Sequence, residues 1–489
     1  MRTMRLRTKV MFAILAALLV MSPVVPASAN VPYESYNYNY WEEPVPAPAA
    51  YLPDQVWSGR SLGVGDFKTP SDLVVSQEQY VYVLDSGNNR IVIVDDQGRS
   101  AGVISSFMLE GKQEHFNNPQ GMFITGDGEI YIADTDNHRV VVLSKEGELH
   151  AIIQNPESDL LAADFVFNPT KLAVDNADRV YIVARGVYEG LMQFDNEGRF
   201  IGYIGTINVN PSAADYMWKM ISTKEQRAKM ALFVPTEFSN LDIDAKGFLY
   251  ATNIDVESKE PIKRLSPSGH DVLKRYGYFD VKGDINYFRM AGMGTEAGPS
   301  KIIDVKVRDG DMFSMIDSLR GRVFTYDGEG NLLYIFGGKG NQAGTFKSVT
   351  AIDEWRDRLI LLDRTNGQIT LFRTTEFGRK VNEAVKLHAA GDEDEAVAVW
   401  QEVLKLNSNY DIAYIGIGKA MLLEKNNKAA MKYFKLGMDR DYYSVAFKRH
   451  RKDLMQQSFS TVLTVLALLA AGTLALKIVR KRRQGGLSS

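Results

Sequence analysis

The stretch "DTDNHR", Asp134–Arg139, gathers two carboxylates, an amide, an imidazole and a guanidinium within six residues. Carboxylate oxygens at such spacing suit a hard divalent cation. A histidine beside an aspartate suits general-base work near neutral pH. The same residue types also have a plainer use. Asp and Asn side chains bond their own backbone and tolerate left-handed geometry, as a tight polar turn requires. Recurrence separates these readings. "DSGNNR" begins at Asp85, so Asp85 and Asp134 lie 49 residues apart, as do Asn88 and Asn137, Arg90 and Arg139, and Pro70 and Pro119. A catalytic cluster need occur once, whereas a turn in a repeat occurs in every unit. The segment is therefore expected to be structural, with His138 at the surface.

The elements that carry this turn follow from its neighbours. In "GMFITGDGEIYIADTDNHRVVVLSKEGELHAII", four short apolar runs are separated by Gly-rich turns: Gly121–Ile124, Glu129–Ala133, Val140–Leu143 and Leu149–Ile153. Weaker copies begin at Arg179, Gly247, Asp311 and Arg358. Six four-stranded units repeated about an axis predict a mainly β chain built as a six-bladed β-propeller. "DTDNHRVVVL" and "DSGNNRIVIV" resemble the Asp-x-x-Asn-x-Arg-apolar signature of the NHL-repeat family, over residues 56–378. The third unit departs from it with Ala184, and the fourth carries an enlarged loop, Asp255–Ile262. The last unit has three strands of its own, so Tyr51–Ser58 is expected to close the ring as its fourth. A helical insertion is expected at 210–233, between the third and fourth units. Thr223 and Gln226 form a capping box there, and Tyr216, Met217, Met220 and Ile221 one apolar face.

The first strand of each unit should line the central channel. Aligning the units places Asp72, Gly121, Lys171, Asn240, Asp304 and Val349 at matching inner positions. Among six-bladed propellers, lactonases and related hydrolases hold a calcium-type ion there, and the resemblance makes Asp72, Asn240 and Asp304 a set that would mimic such ligands. Lys171 in the same ring argues instead for ion pairing of the acids. Glu237, in "PTEFSN", is a further candidate at the channel mouth. No residue is assigned as catalytic and no metal or cofactor is expected. Nucleophile-elbow, P-loop, HExxH and EF-hand motifs are lacking, and the chain has no cysteine and six histidines.

The flanks read differently. Arg2, Arg5, Arg7 and Lys9 precede an apolar run, Val10–Met21, and "ASA" at Ala27–Ala29, an export signal expected at 1–29. Residues 30–55, "NVPYESYNYNYWEEPVPAPAAYLPDQ", read as a Tyr/Pro-rich linker that buries little, with tyrosines able to stack on sugars. Over 379–441 the period changes to 34: Ala384 with Gly418, Leu387 with Met421, Ala396 with Ala430, Trp400 with Phe434. This resembles the tetratricopeptide repeat, though Lys380 stands where a bulky residue is usual. Two such repeats are few, so they should lean on the propeller or the next helix. A juxtamembrane helix is expected at 442–458, and Phe459–Leu476, 18 residues without a charge, at the core of a transmembrane helix 459–479 with a cytoplasmic tail 480–489. Flanking charge is nearly balanced, and the export signal favours a single-pass type I arrangement at the cell membrane. All 60 acidic residues lie between signal and tail, which argues against nucleic acid as a partner. An exported body without cysteine suits a bacterial envelope.

Three functions remain open on these grounds. The first is an extracytoplasmic scaffold that binds a protein partner at the cell envelope, non-enzymatic and favoured by both resemblances. The second is a metal-dependent lactonase-type hydrolase in the channel. The third is a receptor for a carbohydrate or peptide under the insertion.

Overall fold

In a computed structural model of the chain, the structure describes residues 32–162, 164–205, 237–255, 258, 260–284 and 298–485. The expected export signal (1–29) and helical insertion (210–233) lie outside the described residues. The strands form a six-bladed β-propeller, followed by a C-terminal helical region ending in one long apolar helix.

Blade 2 shows why the sequence folds this way. Its strands are Gly121–Ile124, Ile130–Asp134, Arg139–Leu143 and Leu149–Ile153, paired antiparallel in chain order. The second strand is buried on both faces, so it is apolar throughout instead of alternating. Its side chains nevertheless divide with period two. Tyr131 and Ala133 pack with blade 3 residues such as Leu172, Ile182 and Phe194. Ile130 and Ile132 pack with Leu84, Ile91 and Phe107 from the other side. The hydrophobic core is thus divided into slabs between neighbouring blades, and the axis itself is left polar.

Blades 1, 3 and 5 repeat the four-stranded plan. Blade 4 departs from it: among the described residues it has three strands, Phe238–Ile243, Leu249–Asn253 and Ile262–Leu265, and in place of a fourth strand a single bridge joins Leu265 and Asp271. Blade 6 is closed as expected. Gln368–Thr374 pairs with Tyr51–Ser58, in register from Gln368 opposite Ser58 to Thr374 opposite Tyr51. Trp57 on the closing strand meets Trp355 edge-on, with ring centroids 5.1 Å apart.

The expectation of a loose linker over 30–55 is overturned. Tyr36–Tyr38 and Pro44–Pro46 form a small hairpin. Tyr36 and Tyr38 are buried, and their hydroxyls donate to one carboxylate oxygen of Asp284 at 2.5 and 2.6 Å. The second Asp284 oxygen accepts from Arg322 at 2.7 Å. Asn37 donates to the carbonyls of Leu332 and Leu333 on the outermost strand of blade 5. The tyrosines are therefore spent on an internal strap, and Tyr36 and Tyr38 are not available for sugar stacking.

Four helices follow the ring: α1 (Glu376–Ala390), α2 (Glu393–Leu406), α3 (Asp411–Leu423) and α4 (Asn427–Leu436). Thr375 caps α1 by accepting from Gly378 N–H at 3.1 Å. Close helix approach depends on missing side chains. A Cβ on Gly416 would sit 2.4 Å from Trp400 of α2, and one on Gly418 2.7 Å from Phe434 of α4. Lys380 pairs with Glu402 of the facing helix at 2.6 Å. The helices are joined to the propeller: the Tyr410 hydroxyl donates to the Leu333 carbonyl at 2.8 Å, that of Tyr334 to Asn382 at 2.7 Å, and Lys419 pairs with Glu329. The last helix, α5 (Arg440–Gly485), starts packed on α4, with Tyr442 stacked on Phe434 at 5.3 Å. It then runs on as a helix long and apolar enough to cross a membrane, none of whose apolar stretch is buried.

Ring closure carries a measurable weight. Trp57→Ala is expected to cost about 3 kcal/mol, as for buried large-to-small changes. Trp41→Ala, at a 64% exposed position, should cost under about 0.5 kcal/mol. Chemical denaturation of the detergent-solubilised chain reads both, and equal losses would refute the closing role of Tyr51–Ser58.

Candidate functional site

The "DTDNHR" turn resolves into a hydrogen-bonded cage. Thr135–Asn137 makes one tight helical turn, and His138 takes the left-handed conformation at φ 56°. Asp134 is fully buried. It accepts from the backbone N–H of Asn117 at 2.7 Å, from the Asn137 amide at 2.9 Å and from Arg139 Nε at 2.9 Å. In blade 1, Asp85 does the same with Lys68 N–H, Asn88 and Arg90, at 2.7, 2.8 and 2.8 Å. Asp363 of blade 6 accepts from Lys347 N–H and Asn366 at 2.8 and 2.9 Å. Each carboxylate therefore ties the chain entering a blade to the turn between its second and third strands. The turn also reaches the next blade. Thr135 donates to the Pro169 carbonyl at 2.7 Å, and exposed His138 meets the Asn168 side chain at 2.9 Å. Both oxygens of the carboxylate are taken by structural donors.

Sheet register locates the channel ring. Asp72, Gly121, Lys171, Asn240 and Asp304 each face the residue just before the turn of their own blade: Leu84, Ala133, Val183, Thr252 and Ile316. The sixth position is Ala351, opposite Leu362, and not Val349 as sequence alignment expects. A register shift between Val349 and Ala351 adds one residue to the strand just ahead of this position. Similar shifts precede Lys171, Asn240 and Asp304.

Four ring members, Asp72, Lys171, Asn240 and Asp304, make contacts between blades. Asp72 accepts from its own neighbour Leu73 N–H at 3.0 Å, from Met122 N–H of blade 2 at 2.9 Å, and pairs with Lys171 at 2.8 Å. Asp304 accepts from Val305 N–H and from Ile352 N–H of blade 6, both at 2.8 Å, and from the Asn240 amide. Burial pushes the Asp304 carboxyl up to about 8; Lys171 opposes this and Asp72 adds to it. Glu237 stands apart from these contacts. Its carboxylate accepts from Gly186 N–H at 2.7 Å, on the blade 3 turn that has Ala184 in place of the aspartate.

A second polar layer, two residues further along the inner strands, escaped the sequence reading. Asp242 accepts from Val307 N–H and Asp353 from Val75 N–H, each at 2.8 Å across a blade boundary. Lys306 sits between them, 2.9 Å from Asp353 and 3.7 Å from Asp242. Burial alone would depress Lys306, but Asp242 and Asp353 outweigh it and hold the ammonium above the ordinary lysine value. The signal was present as alternation: Asn240/Asp242 and Asp304/Lys306 are i, i+2 pairs that face the same side of a strand. Among the described residues, no three His, Asp or Glu side chains cluster as a metal-holding group.

A profile of the NHL repeat matches residues 116–143, the first three strands of blade 2 with the loop before them. No curated protein matches the chain. Among solved structures, selenomethionine-substituted virginiamycin B lyase from Staphylococcus aureus is similar at 10% identity, over 66% of this chain and 99% of that one, with a TM-score of 0.41. A streptogramin B lyase is similar at 9% identity, over 63% and 94%, with a TM-score of 0.37. A structural genomics protein of unknown function from Bacteroides thetaiotaomicron is similar at 13% identity, over 63% and 70%, with a TM-score of 0.41. None of these assigns a residue of this chain a role.

Two outcomes follow from the geometry. Asp134→Ala strands Arg139 and the Asn117 N–H, and should cost about 3 kcal/mol, while His138→Ala should cost under about 1 kcal/mol. Equal effects in a urea titration would return the cluster to a chemical role. The second concerns pH. Because the folded Asp304 carboxyl titrates near 8, above its ordinary value of 3.8, its contribution is most favourable below about pH 4 and is lost as pH rises towards 8. Asp304→Asn should remove that decline, so the melting temperatures of parent and variant diverge from pH 4 to 8. Parallel curves would show Asp304 ionised throughout.

Proposed function

We propose that the chain is a membrane-anchored NHL-propeller scaffold that binds a protein partner outside the cytoplasm, at the cell envelope. One observation carries this reading. The polar side chains that a channel hydrolase would need are engaged in blade-to-blade bonds and in the Asp72–Lys171 and Lys306–Asp353 pairs. A cation entering the ring would have to displace two ammonium groups from their carboxylates.

The helical region supports the same reading. Gly416 and Gly418 let α3 approach Trp400 of α2 and Phe434 of α4, which supports a tetratricopeptide-like reading of these helices. On this reading the helices and the propeller present one continuous binding surface. The apolar part of α5 is the anchor, with the propeller on the outer side.

Crosslinking of the full-length chain in intact cells, followed by identification of the captured species, is expected to recover a defined envelope protein. The opposing result is enzymatic. Tight calcium binding together with lactone hydrolysis, both abolished by Asp304→Ala in protein whose circular dichroism is unchanged, would replace the scaffold with a hydrolase.

A further inference from the structure

The first turns of α5 show two different faces. At about 100° per residue, Tyr442, Ala446 and Asp453 fall on one side. That side is packed: Ala446 is fully buried among Ile415, Leu422, Ala430 and Phe434, and Asp453 accepts from the Asn427 amide at 2.6 Å. Lys448, Arg451 and Lys452 point away from it, and Arg449 flanks it; all four are exposed. Among the described residues none of them has an ion-pair partner. The nearest acid in sequence, Asp453, is already engaged with Asn427. Val445, Met455 and Phe459 alternate with these cations along a shallow groove on the same face.

Position makes this belt specific. Lys452 precedes Phe459, the first residue of the apolar run, by seven residues, or about 10 Å of helix axis. The polar layer on each side of the hydrocarbon core is about 5–8 Å deep, within reach of long Lys and Arg side chains that extend towards it from this height. The helix is continuous through this region, so the cations cannot swing out of the layer. A second basic group, Lys477, Arg480 and Lys481, stands at the far end of the same run.

We infer that Lys448, Arg449, Arg451 and Lys452 form a binding belt for anionic phospholipid headgroups, with the intervening apolar side chains laid against the upper acyl chains. This rests on the proposed anchoring by α5. Each cation near a charged bilayer surface favours an anionic headgroup by about fivefold, and the attraction is screened by salt. The belt would hold such lipids against the propeller-proximal end of the helix, whichever leaflet that is.

The test uses the full-length chain in phosphatidylcholine bilayers containing trace spin-labelled phosphatidylglycerol or phosphatidylcholine. The motionally restricted fraction of each is measured by electron paramagnetic resonance. The restricted phosphatidylglycerol should exceed phosphatidylcholine several-fold at low salt, and the excess should shrink at high salt. The combined variant Lys448→Gln, Arg449→Gln, Arg451→Gln and Lys452→Gln should lose most of it, keeping the part due to the distal cluster. An unchanged excess in the variant overturns the belt. So does an unchanged lipid ratio accompanied by loss of a co-purifying acidic protein, which would make the belt a protein contact. Carbonate extraction of the parent chain from membranes is a separate result, since it would remove the anchor reading itself.

Discussion

A propeller has no core at its axis, and the inner strands must satisfy their polar backbone where no sheet neighbour exists. Four aspartates meet that constraint here. Asp72, Asp242, Asp304 and Asp353 each accept the N–H of the following residue and an N–H from the next blade's inner strand. Where the acceptor is charged such a bond contributes about 1.5–3 kcal/mol, and the smaller neutral value applies to Asp304 below its titration near 8. The slabs of apolar side chains between blades give most of the cohesion, but they are non-directional. The inner carboxylates are what fix each sheet against the next at a set height. Lys171 and Lys306 then offset the negative charge that this arrangement concentrates on the axis.

The outer rim is held by chain ends. One N-terminal stretch completes blade 6, and the hairpin before it binds the exposed edge of blade 5 through Asn37. Tyr410, at the N-cap of α3, reaches the same edge carbonyl, Leu333, as Asn37. Sheet edges invite pairing with other chains unless covered, and here one edge is covered from both directions.

The parts legible in the sequence were those with local or periodic causes. The Asp134 turn was readable because its donors, Asn137 and Arg139, lie within five residues and the pattern returns 49 residues away. Five of the six ring positions followed from aligning the recurring units, whose spacing is 49 residues only between Asp72 and Gly121. The sixth did not: blade 6 has the same bulge as blades 3, 4 and 5, but Val349 and Ala351 are both apolar, so no polar residue marks the inner position for alignment. The strap was misread for a related reason. Tyr36 and Tyr38 look like linker residues until Asp284, nearly 250 residues on, comes to meet them. Sequence also gives no sign that Asp353 would serve Val75, on the other side of the ring closure.

The unbroken course of α5 has a mechanical meaning. It runs 46 residues without a proline, from the stacking of Tyr442 on Phe434 to Gly485, and so measures about 69 Å. Kinks require a proline, a bulge or an inserted group. On the proposed anchoring, α5 would behave as a stiff lever with its fulcrum in the bilayer. A few degrees of tilt imposed at one end would become several ångströms of travel at the other, and a torque on the propeller would then be felt across the lipid.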